Sequence, residues 1–196
     1  MPDICRMTNA LKEIQQLLKQ DSLPEAKEAH EKFIPGGKEK IYGVRTPVLN
    51  TLARQYKAGG FGQIEDLWKA GALEEKLLAL KMMGMIAKKD PGRSLKLIEL
   101  FSKNIGNWAV CDAMGMQALK PIVKTHQKEI FELAKRYNQS KDLWQRRLSL
   151  VLVEWYTRVK ELHPEIKKLV KALENDEEYY VRKAVVWINK NFQKGK

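Results

Sequence analysis

The stretch "NWAVCDAMG" (residues 107–115) sets Trp108 four residues before a carboxylate, Asp112. On a helix that spacing puts the two side chains on one face. A carboxylate there can steady a developing positive charge or hold a water for attack. It can equally be the ion-pair partner of a neighbouring base. Further along, "LWQRRLSLVLV" (143–153) carries Arg147 and "YYVRKAVVWINKNF" (179–192) carries Trp187. An arginine grips a phosphate through charge-assisted, often bidentate hydrogen bonds, or it pairs with an acid. A helical tryptophan is most often a core residue. In a pair, tryptophans can also wall in a sugar, a base or a cation by stacking and cation–π contact.

Several chemistries lack their parts. No histidine or second carboxylate accompanies Asp112 in its stretch, so Ser/His/Asp and Cys/His schemes have no base. His30, His126 and His163 are isolated, and Cys5 and Cys111 are far apart with no CxxC. Neither a metal site nor a disulfide framework is expected. No Walker-type or GxGxxG loop occurs, so nucleotide hydrolysis and dinucleotide chemistry find no support. No cofactor is expected.

The elements that must position these residues read as helices throughout. "ALKEIQQLL" carries an i, i+3, i+4, i+7 apolar stripe. "LPEAKEAHEKF", "TPVLNTLARQY" and "IEDLWKAG" follow. "LEEKLLALKMMGMIAKK" is nearly apolar throughout and predicts a buried helix. Then come "PGRSLKLIELFSK", "NWAVCDAMGMQALK", "EIFELAKRY", "DLWQRRLSLVLVEWYTRV", "PEIKKLVKALEN" and "EEYYVRKAVVWINKNF". About eleven helices are expected and no strand. Thr46-Pro47 and Asp90-Pro91 read as N-caps followed by proline at the first helical position. Gly36-Gly37 and Gly59-Gly60 mark turns. Pro121 is expected to end or kink the helix of Asp112. No linker is long enough to divide the chain, so one domain over residues 1–196 is expected.

A soft internal repeat runs through the chain. Shifted by 35 residues, "LWQRRLSLVLV" falls on "EYYVRKAVVWI", with Trp144 on Tyr179 and Arg147 on Arg182; shifted back, Arg147 falls on Asp112. Such a unit suggests an α-solenoid, in which helix pairs stack and one layer lines a concave face. Asp112, Arg147 and Arg182 would then form one ridge.

The chain has 36 Lys/Arg against 24 Asp/Glu, a formal net charge of +12. The excess is spread over both halves. A folded body so charged attracts polyanions, nucleic acid above all. The N-terminus shows no signal-peptide pattern and no apolar run reaches a membrane span, so a cytoplasmic protein is expected. No dimer signal is present, and a monomer is expected.

Taken together, "YGVRTPVLNTLAR" (42–54), "NWAVCDAMG", "LWQRRLSLVLV" and "YYVRKAVVWINKNF" resemble the AlkD-type DNA alkylation repair proteins. These are alkylpurine DNA glycosylases built from HEAT-like helical repeats, and the similarity runs in order through nearly the whole chain. The resemblance implies an all-α solenoid of stacked antiparallel helix pairs with a concave basic face. It implies that Asp112 is catalytic and that Trp108 and Trp187 flank the lesion's deoxyribose. Arg147 would grip the backbone near the lesion, and Thr46 and Lys190 would meet phosphates. A helix N-terminus at Thr46 fits an anion independently, through its free N–H groups. The implied partner is double-stranded DNA containing alkylated purines. The implied reaction is hydrolysis of the N-glycosidic bond of cationic N3- or N7-alkylated purines without a deep base-flipping pocket. Such bases already carry positive charge and leave without protonation, so a single carboxylate can suffice where sugar hydrolases ordinarily use two. The chain ends nine residues after Trp187, sooner than is common in the family, and fewer phosphate contacts are expected. The residues between Trp108 and Asp112 are more apolar than in active members. A non-catalytic HEAT-like protein that binds damaged or branched DNA is the alternative, and a protein–protein adaptor is a third reading that the charge disfavours.

Overall fold

The turn-forming Gly-Gly, Pro and Asp signals divide the chain into helices much as the apolar periodicity predicts. The computed structural model describes residues 3–34 and 39–194, with side chains from residue 9 to residue 193. The expected Gly36-Gly37 turn and the Cys5 side chain lie outside the described residues. Among those residues the fold is all-α: eleven α-helices, joined by short 3₁₀ and π turns, and no strand. No helix is long and apolar enough to cross a membrane. The chain divides into two compact units, with the boundary between Asp90 and Pro91.

The first unit holds α1 (Asp3–Gln20), α2 (Pro24–Phe33), α3 (Thr46–Tyr56), α4 (Gly60–Ala70) and α5 (Leu73–Ile86). Ile14, Leu18, Leu49, Ile64, Leu67, Leu78, Leu80, Met82 and Met83 make its core. Helix α5 is buried as its composition predicts, but the buried residues include Glu74, Glu75 and Lys76. Glu74 is satisfied by backbone: its carboxylate accepts from the N–H groups of Tyr42 (3.0 Å), Gly43 (2.7 Å) and Val44 (3.2 Å). Glu75 accepts from the Tyr42 hydroxyl, Gln15 and the Ala72 N–H. Burial, with the Glu75 charge beside it, pushes the Tyr42 phenol up to about 12. Gly43 adopts φ +86°, and a Cβ there would lie 2.7 Å from Lys27 Cβ, so only glycine fits. These bonds pin residues 42–44 and set where α3 begins. Its N-cap is Arg45, in extended conformation, so Thr46 is the first helical residue and Pro47 the second, one place later in the helix than the sequence suggests.

The second unit holds α6 (Pro91–Phe101), α7 (Trp108–Ala113), α8 (Gln127–Asn138), α9 (Leu143–Val153), α10 (His163–Ala172) and α11 (Tyr179–Lys194). Helices α7, α9 and α11 run parallel. Asp112 meets Arg147 and Gly115 meets Trp155, so later residues of one segment meet later residues of the next. In the same way Arg147 meets Tyr180 and Glu154 meets Asn191. The intervening α8 packs against α9 as an antiparallel partner, with the Asn138 amide donating to Ser149 and to the Leu169 carbonyl of α10. Within this unit the helix pairs stack as in an α-solenoid, one pair per repeat of about 35 residues.

The stretch "NWAVCDAMGMQALK" is not one helix. It passes from α7 into a π turn at Met114–Ala118 and a 3₁₀ turn at Lys120–Ile122 that contains Pro121. Likewise "DLWQRRLSLVLVEWYTRV" leaves α-helix after Val153 and continues as a 3₁₀ segment, Glu154–Arg158.

Candidate active site

Asn107 sets the start of α7. Its backbone is extended and its side-chain oxygen accepts the Val110 N–H at 3.0 Å, an N-cap that makes Trp108 the first helical residue. Asp112 follows one turn later. The start of α9 is fixed in the same way: Asp142 accepts from the N–H groups of Trp144 (2.8 Å) and Gln145 (3.0 Å). That cap places Arg147 against α7.

The two meet in a bidentate ion pair. Arg147 Nε donates to Asp112 Oδ1 at 2.9 Å and Nη2 donates to Oδ2 at 2.8 Å. A third donor, Nη1, reaches the Tyr180 carbonyl at 2.7 Å, at the first turn of α11. The Arg147 side chain is 9% exposed, whereas the Asp112 side chain keeps 26% of its surface open. Burial pulls the Arg147 pKa down, but the hydrogen bonds and charge of Asp112 more than offset this and the net shift is upward. Arg147 is therefore a fixed cation. The fork-to-fork geometry locks the carboxylate plane and leaves Asp112 its outward lone pairs. Cys111, between Trp108 and Asp112, is fully buried. Burial, with the Asp112 charge next, lifts its thiol well above the ordinary value, so it is no nucleophile at neutral pH.

Trp108 and Trp187 are both half-buried, neither sealed in the core nor fully open. Lys190, three residues after Trp187 on α11, is exposed. Thr46 is exposed at the start of α3, in the first unit, and belongs to no cluster described for the second. Asp112 and Arg147 are thus brought together in direct contact, and Trp108 stands one turn from Asp112. Arg182 does not join the expected ridge: its guanidinium turns to the carbonyls of Asp176 and Glu177 in the loop before α11. Arg146, the other arginine of "WQRR", is held by Asp176 and by the Ser140 and Lys141 carbonyls.

Three features were not singled out from sequence. One is the Tyr180 carbonyl that shares Arg147. Another is the π turn after Asp112, whose Gly115 carbonyl accepts the Trp155 indole N–H at 3.0 Å. The third is Glu154, 3% exposed, with one oxygen on Asn191. Glu154 lies seven residues after Arg147, two turns on, a spacing visible in the sequence; its partner on α11 is not.

Stacked helix pairs that bring a carboxylate of α7 into the grip of a buried arginine of α9, with a half-buried tryptophan one turn before that carboxylate and another on α11, define a helical-repeat protein. The chain belongs to the DNA alkylation repair enzyme family, whose profile matches residues 14–194. A comparison with curated proteins gives no match.

Proposed function

We propose that this chain is an alkylpurine DNA glycosylase that hydrolyses the N-glycosidic bond of cationic N3- or N7-alkylated purines in DNA. The observation that carries the reading is the Asp112–Arg147 pair: a carboxylate held bidentate by a buried guanidinium, with a quarter of its surface open. As the bond from C1′ to the purine breaks, its electron pair neutralises the charge on the base. The deoxyribose becomes oxocarbenium-like, and the fixed anion of Asp112 stabilises it. A water then bonds to C1′ and its proton passes to the carboxylate. Trp108 and Trp187 offer ring faces that favour the same cationic sugar. Arg147 orients Asp112 and, by the family resemblance, is assigned to grip a backbone phosphate. Thr46 and Lys190 serve as further phosphate contacts. No deep base pocket is required, because the leaving group needs no protonation.

Release of 7-methylguanine or 3-methyladenine from methylated DNA tests the reading. Wild type is expected to release base, and Asp112→Asn to lose release at least a hundredfold while still binding DNA. Salt-sensitive DNA binding with no base release at any enzyme excess would favour the non-catalytic alternative.

A further inference from the structure

Beside the Asp112–Arg147 pair stands a ladder of three aromatic rings. Trp144 packs against Tyr180 with centroids 5.1 Å apart, and Tyr180 meets Tyr179 edge-on at 5.2 Å. The first two rings are half-buried. The last, Tyr179, is 55% exposed. Among the described residues, Phe33 is the other aromatic ring as open as this, and it belongs to the first unit. Lys183, one turn along α11, places its ammonium 5.3 Å from the Tyr179 centroid. The ladder is tied to the site at two points: Arg147 donates to the Tyr180 carbonyl and the Cys111 thiol to the Trp144 carbonyl.

We propose that Tyr179, with Lys183, is a stacking platform for an unpaired nucleobase next to the Asp112–Arg147 pair. A tyrosine left open to water at the end of a packed ladder gains little for folding. Its ring face beside an exposed cation matches what a nucleotide offers, a π-face and a phosphate. Tyr180, itself packed on Trp144, holds Tyr179 in place, so stacking on it costs little side-chain entropy. An arriving base displaces the Lys183 ammonium from the ring, and the ammonium then meets that nucleotide's phosphate. Bases in an intact duplex have both faces covered by their neighbours, so the platform distinguishes disrupted from paired DNA. The proposal takes its ligand from the glycosylase reading but does not depend on base release.

The test uses a duplex in which 2-aminopurine lies opposite a tetrahydrofuran abasic analogue, which has no base to lose. Wild type is expected to bind this duplex more tightly than a fully paired one and to quench the 2-aminopurine. Tyr179→Leu is expected to lose the quenching and to weaken binding to the abasic duplex roughly tenfold, with the paired duplex unaffected. Tyr179→Phe is expected to behave as wild type. The platform is overturned by a Tyr179→Leu protein that matches wild type on both duplexes, or that weakens on both alike. A chain that releases no base yet shows the ring-dependent preference contradicts the glycosylase reading and supports the platform. A chain that releases base but is indifferent to Tyr179→Leu in these binding measurements overturns the platform alone.

Discussion

Asp112 and Arg147 share two hydrogen bonds but stand in different surroundings. The guanidinium is inside, where its acid partner and the Tyr180 carbonyl make its charge tolerable. The carboxylate is at the boundary, held yet reachable. From sequence, Arg147 had two uses, phosphate or acid, and nothing local decides between them, because the contact spans 35 residues. Glu154 is the second informative carboxylate. Burial raises its pKa; the Arg158 charge and the Asn191 amide only partly offset this. A carboxyl whose folded pKa lies above its unfolded value favours the protonated fold, so wild-type stability falls as pH rises from the ordinary carboxylate range through the raised value. Glu154→Gln is neutral throughout and keeps an oxygen for Asn191. Its melting temperature relative to wild type is therefore expected to climb as pH rises from the ordinary carboxylate range. A difference that stays flat over that rise contradicts the assignment.

At the scale of elements, what decides the site is how closely α7 and α9 approach. A Cβ on Gly115 would lie 2.7 Å from Val151 Cγ1 and 3.1 Å from the Val151 backbone. Glycine at 115 thus lets the π turn rest on α9, and the Trp155 indole occupies the carbonyl that faces it. Gly115→Ala is expected to push the helices apart, costing about 2 kcal/mol and lowering the melting temperature by roughly 4–8 °C. Base release should fall with it. A variant that melts and acts like wild type would show that the contact is slack. Most helices of the chain were legible as period-3.6 stripes, as in α1 and α3. The π turn was not, because "AVCDAMGMQAL" is apolar on nearly every side and no stripe fixes its phase. Nor were the buried charges of α5. Glu74 reads as a solvent-facing residue until the N–H groups of residues 42–44 are seen to converge on it. The 35-residue repeat set Asp112, Arg147 and Arg182 at equivalent positions; the first two meet, whereas Arg182 donates to the carbonyls five and six residues before it, as Arg146 does in the earlier repeat.

At the scale of the whole molecule, the charge of +12 and the family's work on DNA point to binding dominated by phosphate contacts. Counterion release then makes affinity fall steeply with salt, by about a thousandfold between 50 and 200 mM if six or more phosphates are neutralised. Fluorescence anisotropy across that range measures the slope, and a near-zero slope would remove the electrostatic basis of the account. The central claim remains that one clamped carboxylate performs the chemistry. The most direct measurement is single-turnover release of 7-methylguanine from methylated duplex DNA by wild type and Asp112→Asn, with DNA affinity measured in parallel. The account predicts release by wild type and a loss of at least a hundredfold in the variant at unchanged affinity. Equal rates for the two proteins would contradict it.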